Sequence, residues 1–436
     1  MPTLRRSLGL WEVVLTGIIM VQPTAPMPLF GIVHEKAQGH VVTTVLVAMV
    51  AMLFTAISYG RMARAYPSAG SAYTYVGQEV HPAMGFLTGW SMLLDYAINP
   101  LICTVWCAQA AANILPSVPP VAWKTFFALL FTLLNLRKIQ ATARTNQVLT
   151  AAMGVVIAWM LAACVRYVAG HGPVDLLRPF YDPTAFSFGG VSAGTSLAVL
   201  TYIGFDGIST LSEEIHDPRR NIMRATVLVC LIVGVLSAVE VYAAQLVWPF
   251  GEKFPNTDTA YVYVAGRAGG PVLFQVLNFT LLIATVGSGA GAQLAGARLL
   301  FGMGRDGALP RGFFGAIDPK TMIPRNAVLA VGVVAFAGSL FVSYELGAEL
   351  LNFGAFIGFM GVNLAAFLRY WWRAERRGMA DFLPPLAGLA ICFYLWINLQ
   401  PLSKVVGGAW MAVGLGYGAY MTGGFRRNLP RFEAGE

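Results

Sequence analysis

The chain has 436 residues, 57% of them hydrophobic and only 11% charged, with a formal net charge of +8. Soluble domains carry about 25% charged residues, so this composition excludes an ordinary cytosolic enzyme, a secreted disulfide scaffold and a nucleic-acid-binding domain. What remains is a polytopic membrane protein, in whose helices 47 Gly and 24 Pro are tolerated.

A membrane span needs about 20 mostly apolar residues. In chain order such stretches predict helices near 11–34, 41–63, 82–112, 120–137, 146–169, 189–212, 222–249, 271–300, 326–343, 347–370, 383–400 and 404–422, twelve in all. Before the first of them stand Arg5 and Arg6 but no small-residue cleavage site, so this helix is expected to be retained and not removed as a signal peptide. The longest connections, 64–81, 170–188, 250–270 and 301–325, are too short for a soluble domain. A single transmembrane domain over 1–436 is expected, with a first five-helix unit at 11–169, a second at 189–370 and two additional helices at 383–422.

Lys and Arg accumulate on cytoplasmic loops. With the N-terminus inside, twenty-two of the 29 basic residues fall on cytoplasmic segments, and only Lys36, Lys124, Arg166, Arg178, Lys253, Arg267 and Lys404 fall outside. A wrong helix count would blur that asymmetry. The positive charge therefore reports topology and anionic lipid, with both termini expected in the cytoplasm.

Two spans do not read as continuous helices. The first contains Gln22-Pro23-Thr24-Ala25-Pro26-Met27-Pro28, and each proline removes a backbone donor and clashes with the preceding turn. The sixth contains Tyr202-Ile203-Gly204-Phe205-Asp206-Gly207, two glycines flanking a carboxylate. Irregular backbone at that depth survives only where protein or a watery cavity satisfies it. Helices one and six hold matching places in the two five-helix units, and matched interruptions point to a transporter site between inverted repeats.

Most of the 21 acids lie in loops, but Asp95, Asp206 and Glu240 fall within spans that carry no Lys or Arg near their depth. An unpaired charge at a helix centre costs about 2.5–3.5 kcal/mol on insertion scales, so these acids call for protonation, a polar cavity or a cationic ligand. Asp206 is the strongest because it sits in the break. Asp95, before Asn99-Pro100, also suits hydrogen bonding to freed backbone near a kink, and Glu240 also suits a place near the outer interface. The pair Glu213-Glu214 is a candidate cytoplasmic gate with Arg61 and Arg64, although structural salt bridging explains it equally well.

Other patterns carry less. Gly190-Val191-Ser192-Ala193-Gly194 matches a nucleophile elbow but opens a membrane helix with no strand before it, so close helix packing is expected there and no catalysis. Gly287, Gly289 and Gly291 lack a nucleotide-binding context and suit packing against the first helix. The five cysteines form no C-x-x-C pair and the five histidines no cluster, so neither a metal nor a cofactor is expected.

The strings Phe54-Thr55-Ala56-Ile57-Ser58-Tyr59-Gly60, Gly89-Trp90-Ser91-Met92-Leu93-Leu94-Asp95-Tyr96, Ile203-Gly204-Phe205-Asp206 and Asn352-Phe353-Gly354 resemble the amino acid–polyamine–organocation permeases, most specifically their putrescine-importer branch. The resemblance covers about residues 4–425. It implies an all-α polytopic fold of the LeuT type, a five-plus-five inverted repeat with broken helices 1 and 6, and a substrate between helices 1, 3, 6, 8 and 10. Amino acid members usually place a Gly-Ser-Gly-like stretch in helix 1 whose amides hold the substrate carboxylate. Here Pro23 and Pro26 cannot donate, which favours a small organic cation over a standard α-amino acid.

The expected function is secondary active import of a di- or monoamine such as putrescine by alternating access, with an amino acid permease of the same fold as the alternative. A channel or a membrane enzyme finds no supporting motif. Asp206 is expected to hold one ammonium directly and Asp95, beside Tyr96, the second or a bridging water. Tyr202 and Phe205 would offer π-faces worth about 0.5–2 kcal/mol, and backbone from Gln22 through Thr24 to Ala25, with Gly204, would complete the cage. Protons are the expected coupling ion, ahead of sodium, carried by Asp206, Asp95 or Glu240.

Overall fold

The computed structural model describes residues 8–66, 71–137, 143–172, 174–211, 215–305, 307, 309–318 and 323–423. Its helices in chain order are α1 Leu10–Val21, α2 Phe30–Lys36, α3 Val41–Ala65, α4 Ser71–Glu79, α5 Pro82–Ala112, α6 Pro120–Leu136, α7 Ala143–Gly170 and α8 Phe188–Ala198. They continue with α9 Pro218–Val247, α10 Ala260–Arg305, α11 Arg311–Phe314, α12 Arg325–Phe341, α13 Tyr344–Phe367, α14 Met379–Ile397 and α15 Pro401–Thr422. Among the described residues eight helical segments are long and apolar enough to cross a membrane, and α1, α6 and α12 are shorter apolar helices of 12, 17 and 17 residues. With the 22-residue α15, these segments fall on the twelve expected spans, the first of which, 11–34, takes in α1, the turns after it and most of α2.

Both expected breaks are present. α1 stops at Val21, Gln22 turns to φ 70°, and three successive tight turns carry the chain through the prolines to α2. α8 stops at Ala198 and passes into a 3-10 turn, Val199–Tyr202. Gly204 (φ 116°) then redirects the chain into a second 3-10 segment, Phe205–Leu211. A positive φ costs a side-chain-bearing residue conformational energy that glycine does not incur. Two elements differ from the sequence-based expectation. α4 is a nine-residue helix inside a connection read as a loop, and α10 begins with a separate segment, Ala260–Gly269, before Gly270 (φ 78°) and Pro271 turn the chain into its span.

The first span packs on the sixth, and the second on the seventh. A Cβ on Gly17 of α1 would stand 2.7 Å from both Ile208 and Val229, so the first and sixth spans touch where no side chain fits between them. α3 and α9 run antiparallel. Gly60 lies against Met223, Gly234 against Met49, and the Val42 N–H donates to Gln245 Oε1 at 3.1 Å. The Gly190–Gly194 stretch opens α8 close to the end of α2, with Gly190 facing the Lys36 carbonyl and Gly194 facing Ala37 and Thr44. The packing expectation for Gly287, Gly289 and Gly291 is corrected. Gly289 meets Phe131 of α6 and Cys103 of α5, and the other two face open space.

Candidate substrate site between the broken helices

The site begins with α5. Pro100 inside this helix cannot donate to the carbonyl one turn earlier, that of Tyr96. That carbonyl faces α10, where Gly296 leaves room for it; a Cβ there would stand 3.3 Å away. On the other side of α5, Gly354 of α13 admits the Ser91 carbonyl, which a Cβ at Gly354 would meet at 2.6 Å, and lies close to the Asp95 amide. Two glycines on two neighbouring helices therefore hold Asp95 and Tyr96 in the interior, and Asp95 is 6% exposed.

Asp206 opens the second half of the broken sixth span. Its carboxylate accepts from the Gly204 N–H at 3.2 Å and from the backbone amides of Asp206 itself and Gly207. Such bonds satisfy donors at the start of a helical segment, so the same acid shapes the break and brings a carboxyl into it. That carboxyl lies within electrostatic reach of Asp95, Tyr96, Tyr59 and Tyr75. Asp206, Asp95 and Tyr96, far apart in the chain, belong to one neighbourhood, and Asp206 is directed into protein.

The first break reaches the same neighbourhood through backbone. Gly204 rests on the Met20 carbonyl and on Val21, and Gly207 lies against the Met20 sulfur. Gln22 extends its amide to α10, donating to the Ala284 carbonyl at 3.2 Å. The carbonyls of Gln22 and Thr24 already accept from the amides of Ala25 and Met27, which leaves each one further lone pair. Thr24 is buried and Ala25 half-buried.

Two expected π-faces are engaged elsewhere. Tyr202 is buried against Gly234 of α9 and donates its hydroxyl to the Val45 carbonyl of α3 at 2.8 Å, so it pins the break to its neighbours. Phe205 is fully buried, its ring 5.5 Å from Tyr59 and 5.4 Å from Phe359. Sequence reasoning assigns no role to Tyr59, although it stands in one of the family-like strings. This buried tyrosine lies within reach of the Asp206 charge, and its hydroxyl has no hydrogen-bond partner among the described residues.

Glu240 is apart from this group. It is fully buried on α9, where the Tyr261 hydroxyl donates to its backbone carbonyl at 3.1 Å. The acids of the expected gate, Glu213 and Glu214, fall outside the described residues, so only its arginines are seen. Arg61 pairs with Asp381 at the start of α14 at 3.0 Å, and Arg64 is exposed. The buried acid at that end is Glu79 of α4, which binds Arg369, Arg373 (3.0 Å) and the Tyr66 hydroxyl (2.6 Å). A further buried acid, Glu349, escapes sequence reasoning within its span; it accepts from the Gln400 amide and the Ser403 hydroxyl, both at 2.8 Å, at the start of α15.

The amino acid permease family matches over residues 29–414. The chain belongs to this family. It is 37% identical to the low-affinity putrescine importer PlaP of Escherichia coli K12, over 99% of this chain and 96% of the relative. It is 30% identical to the uncharacterized transporter Rv1999c of Mycobacterium tuberculosis, over 98% and 93%. It is also 26% identical to the branched-chain amino acid permease BcaP of Bacillus subtilis, over 95% and 92%. Membership makes the chain an integral membrane permease, consistent with apolar helices long enough to span a bilayer.

Proposed function

We propose that this permease imports a small organic diamine such as putrescine, with proton coupling, by alternating access. The observation that carries this reading is that Asp206, in the broken sixth span, and the buried Asp95 lie within electrostatic reach of each other. Two carboxylates close together in a low-dielectric interior repel each other, and burial without a counter-charge is expensive. A diammonium guest neutralises both, whereas a zwitterionic amino acid brings a carboxylate into a region already negative. The prolines at Pro23, Pro26 and Pro28 lack amides for such a carboxylate. The likeness to PlaP supports the same substrate class.

The antiparallel packing of α3 on α9 and the contact between the two breaks fit two inverted five-helix units, 11–169 and 189–370, that rock about the site. The excess of Lys and Arg on one set of connections orients both termini, and the Glu79 end, toward the cytoplasm. One of the three acids Asp206, Asp95 and Glu240 carries the coupled proton.

Uptake of radiolabelled putrescine into proteoliposomes under imposed proton and sodium gradients tests the reading. Saturable accumulation driven by an inside-alkaline gradient, competed by putrescine better than by ornithine, is expected. Transport of branched-chain or basic amino acids with no amine uptake would overturn it.

A further inference from the structure

Glu240 has no place in the cage around Asp206, yet it is 0% exposed and, among the described residues, neither of its carboxyl oxygens has a hydrogen-bond partner. One turn earlier on the same face of α9, Ser237 is also 0% exposed with an unpartnered hydroxyl. Buried polar groups are nearly always satisfied, so an orphan of this kind needs a reason. An ionised carboxylate without donor or cation is far costlier there than a neutral acid.

We propose that Glu240 is the proton-carrying carboxyl of the transport cycle, at a site separate from the Asp206–Asp95 substrate pair. This rests on the proton-coupled transport proposed above. Asp206 accepts the Gly204 amide at the break and, in the function proposed above, holds the cation. Glu240 has nothing to stabilise a charge in this conformation and holds its proton.

The surroundings reinforce the assignment. Of the elements packed against α9, α10 brings Tyr261 and α7 brings Cys164 to this level, both buried, while the 3-10 segments Val199–Tyr202 and Phe205–Leu211 bring Tyr202 and Asp206 toward the Cys230 part of the helix. Arg166 of α7 is exposed, α3 carries no titratable side chain between Val41 and Ser58, and α1 none between Val13 and Val21. On α9 itself the flanking titratable residues are Cys230 and Tyr242. Among the described residues no cation is hydrogen-bonded to the Glu240 carboxyl.

The link to the moving parts runs through Tyr261. Its hydroxyl binds the Glu240 carbonyl, and its ring meets Phe30 of α2 edge-on at 5.4 Å, one turn before the buried His34. α2 is the outer half of the broken first span. Its displacement loosens the packing over Glu240 and admits water, which takes the proton; its return requires the acid to be neutral again. The proton that enters on one side leaves on the other, and protonation is tied to conformation by differential stability.

The experiment compares wild type, Glu240→Gln and Glu240→Asp in proteoliposomes by two readouts, gradient-driven accumulation and gradient-free counterflow of labelled putrescine. Glu240→Gln is expected to keep counterflow while losing accumulation at least tenfold, and Glu240→Asp to restore accumulation. Gradient-driven accumulation by Glu240→Gln equal to wild type would overturn the proposal. Infrared spectra of the purified full-length protein provide an arm that needs no substrate. A protonated-carboxyl stretching band at neutral pH is expected in wild type and absent in Glu240→Gln; identical spectra would overturn the proposal. Absence of any amine transport by wild type refutes the function above and with it the carrier role, while the infrared arm still reports whether Glu240 holds a proton.

Discussion

Gly204 rests directly on the backbone of Met20: a Cβ at Gly204 would stand 3.1 Å from the Met20 carbonyl oxygen, at a φ of +116° that side chains rarely adopt. The two interruptions therefore make one joint. Neither break can be understood alone, because the irregular stretch of the sixth span rests on the end of α1. Replacement of Gly204 by Ala adds backbone strain of about 1–3 kcal/mol and pushes on the Met20 carbonyl. The variant is expected to lose most putrescine uptake and to unfold at a lower temperature in detergent. Unchanged uptake and unfolding temperature would show that the joint tolerates separation.

The two carboxylates should divide their labour by charge count. Asp206→Asn is expected to abolish uptake of diamines and monoamines alike, since it removes the acid inside the break. Asp95→Asn should raise the KM for putrescine at least tenfold while changing that for a monoamine of similar length much less. Competition curves in proteoliposomes check this, and equal losses for both substrate types would refute the two-point reading.

At the opposite end from α2, Glu79 is 5% exposed and holds Tyr66, Arg369 and Arg373 around the end of α13, where the helix widens into a π-turn over Leu368–Trp372. The arginines are substantially exposed, so solvent screens the pairs and the stabilisation is about 1–2 kcal/mol and not the larger value of a fully buried triad. Glu79→Gln should lower thermal stability by that order. A double-mutant cycle with Arg369→Gln should show strong coupling; additive losses would mean that the contact contributes nothing specific.

The spans were legible in the sequence because apolar runs and their turn residues are local, and the prolines and glycines of both breaks act within a few residues of themselves. α4 was not legible, since nine residues with mixed polarity lack the length that separates a helix from a loop. Facing was harder still. Tyr202 and Phe205 flank the break in sequence, but their directions depend on Val45, Tyr59 and Phe359, 146 to 157 residues away. Arg61 illustrates the same limit: its ion pair with Asp381 comes from tertiary packing that no local pattern announces. Charge at mid-depth was easy to find, but its neighbours were not.

Asp258, in the connection before α10, offers a test outside the bilayer. Burial, with help from Glu345 and Glu35, pushes its carboxyl up from the usual value of 3.8 to about 6, against the pull of Lys124. The same region holds the Lys36–Glu345 ion pair at 2.7 Å and the Thr257 hydroxyl bond to Glu35 at 2.8 Å, both joining the end of α2 to its surroundings. Because the folded pKa is raised, the native chain binds more protons than the unfolded chain between about pH 4 and pH 6. Stability therefore falls as pH rises through that window, by on the order of 3 kcal/mol. Asp258→Asn removes this slope. The variant should match wild type in unfolding experiments near pH 4 and exceed it above about pH 7, with the gain concentrated in the contacts of α2. A variant less stable than wild type at neutral pH would show that the ionised carboxylate is held by a favourable partner and not merely buried among like charges.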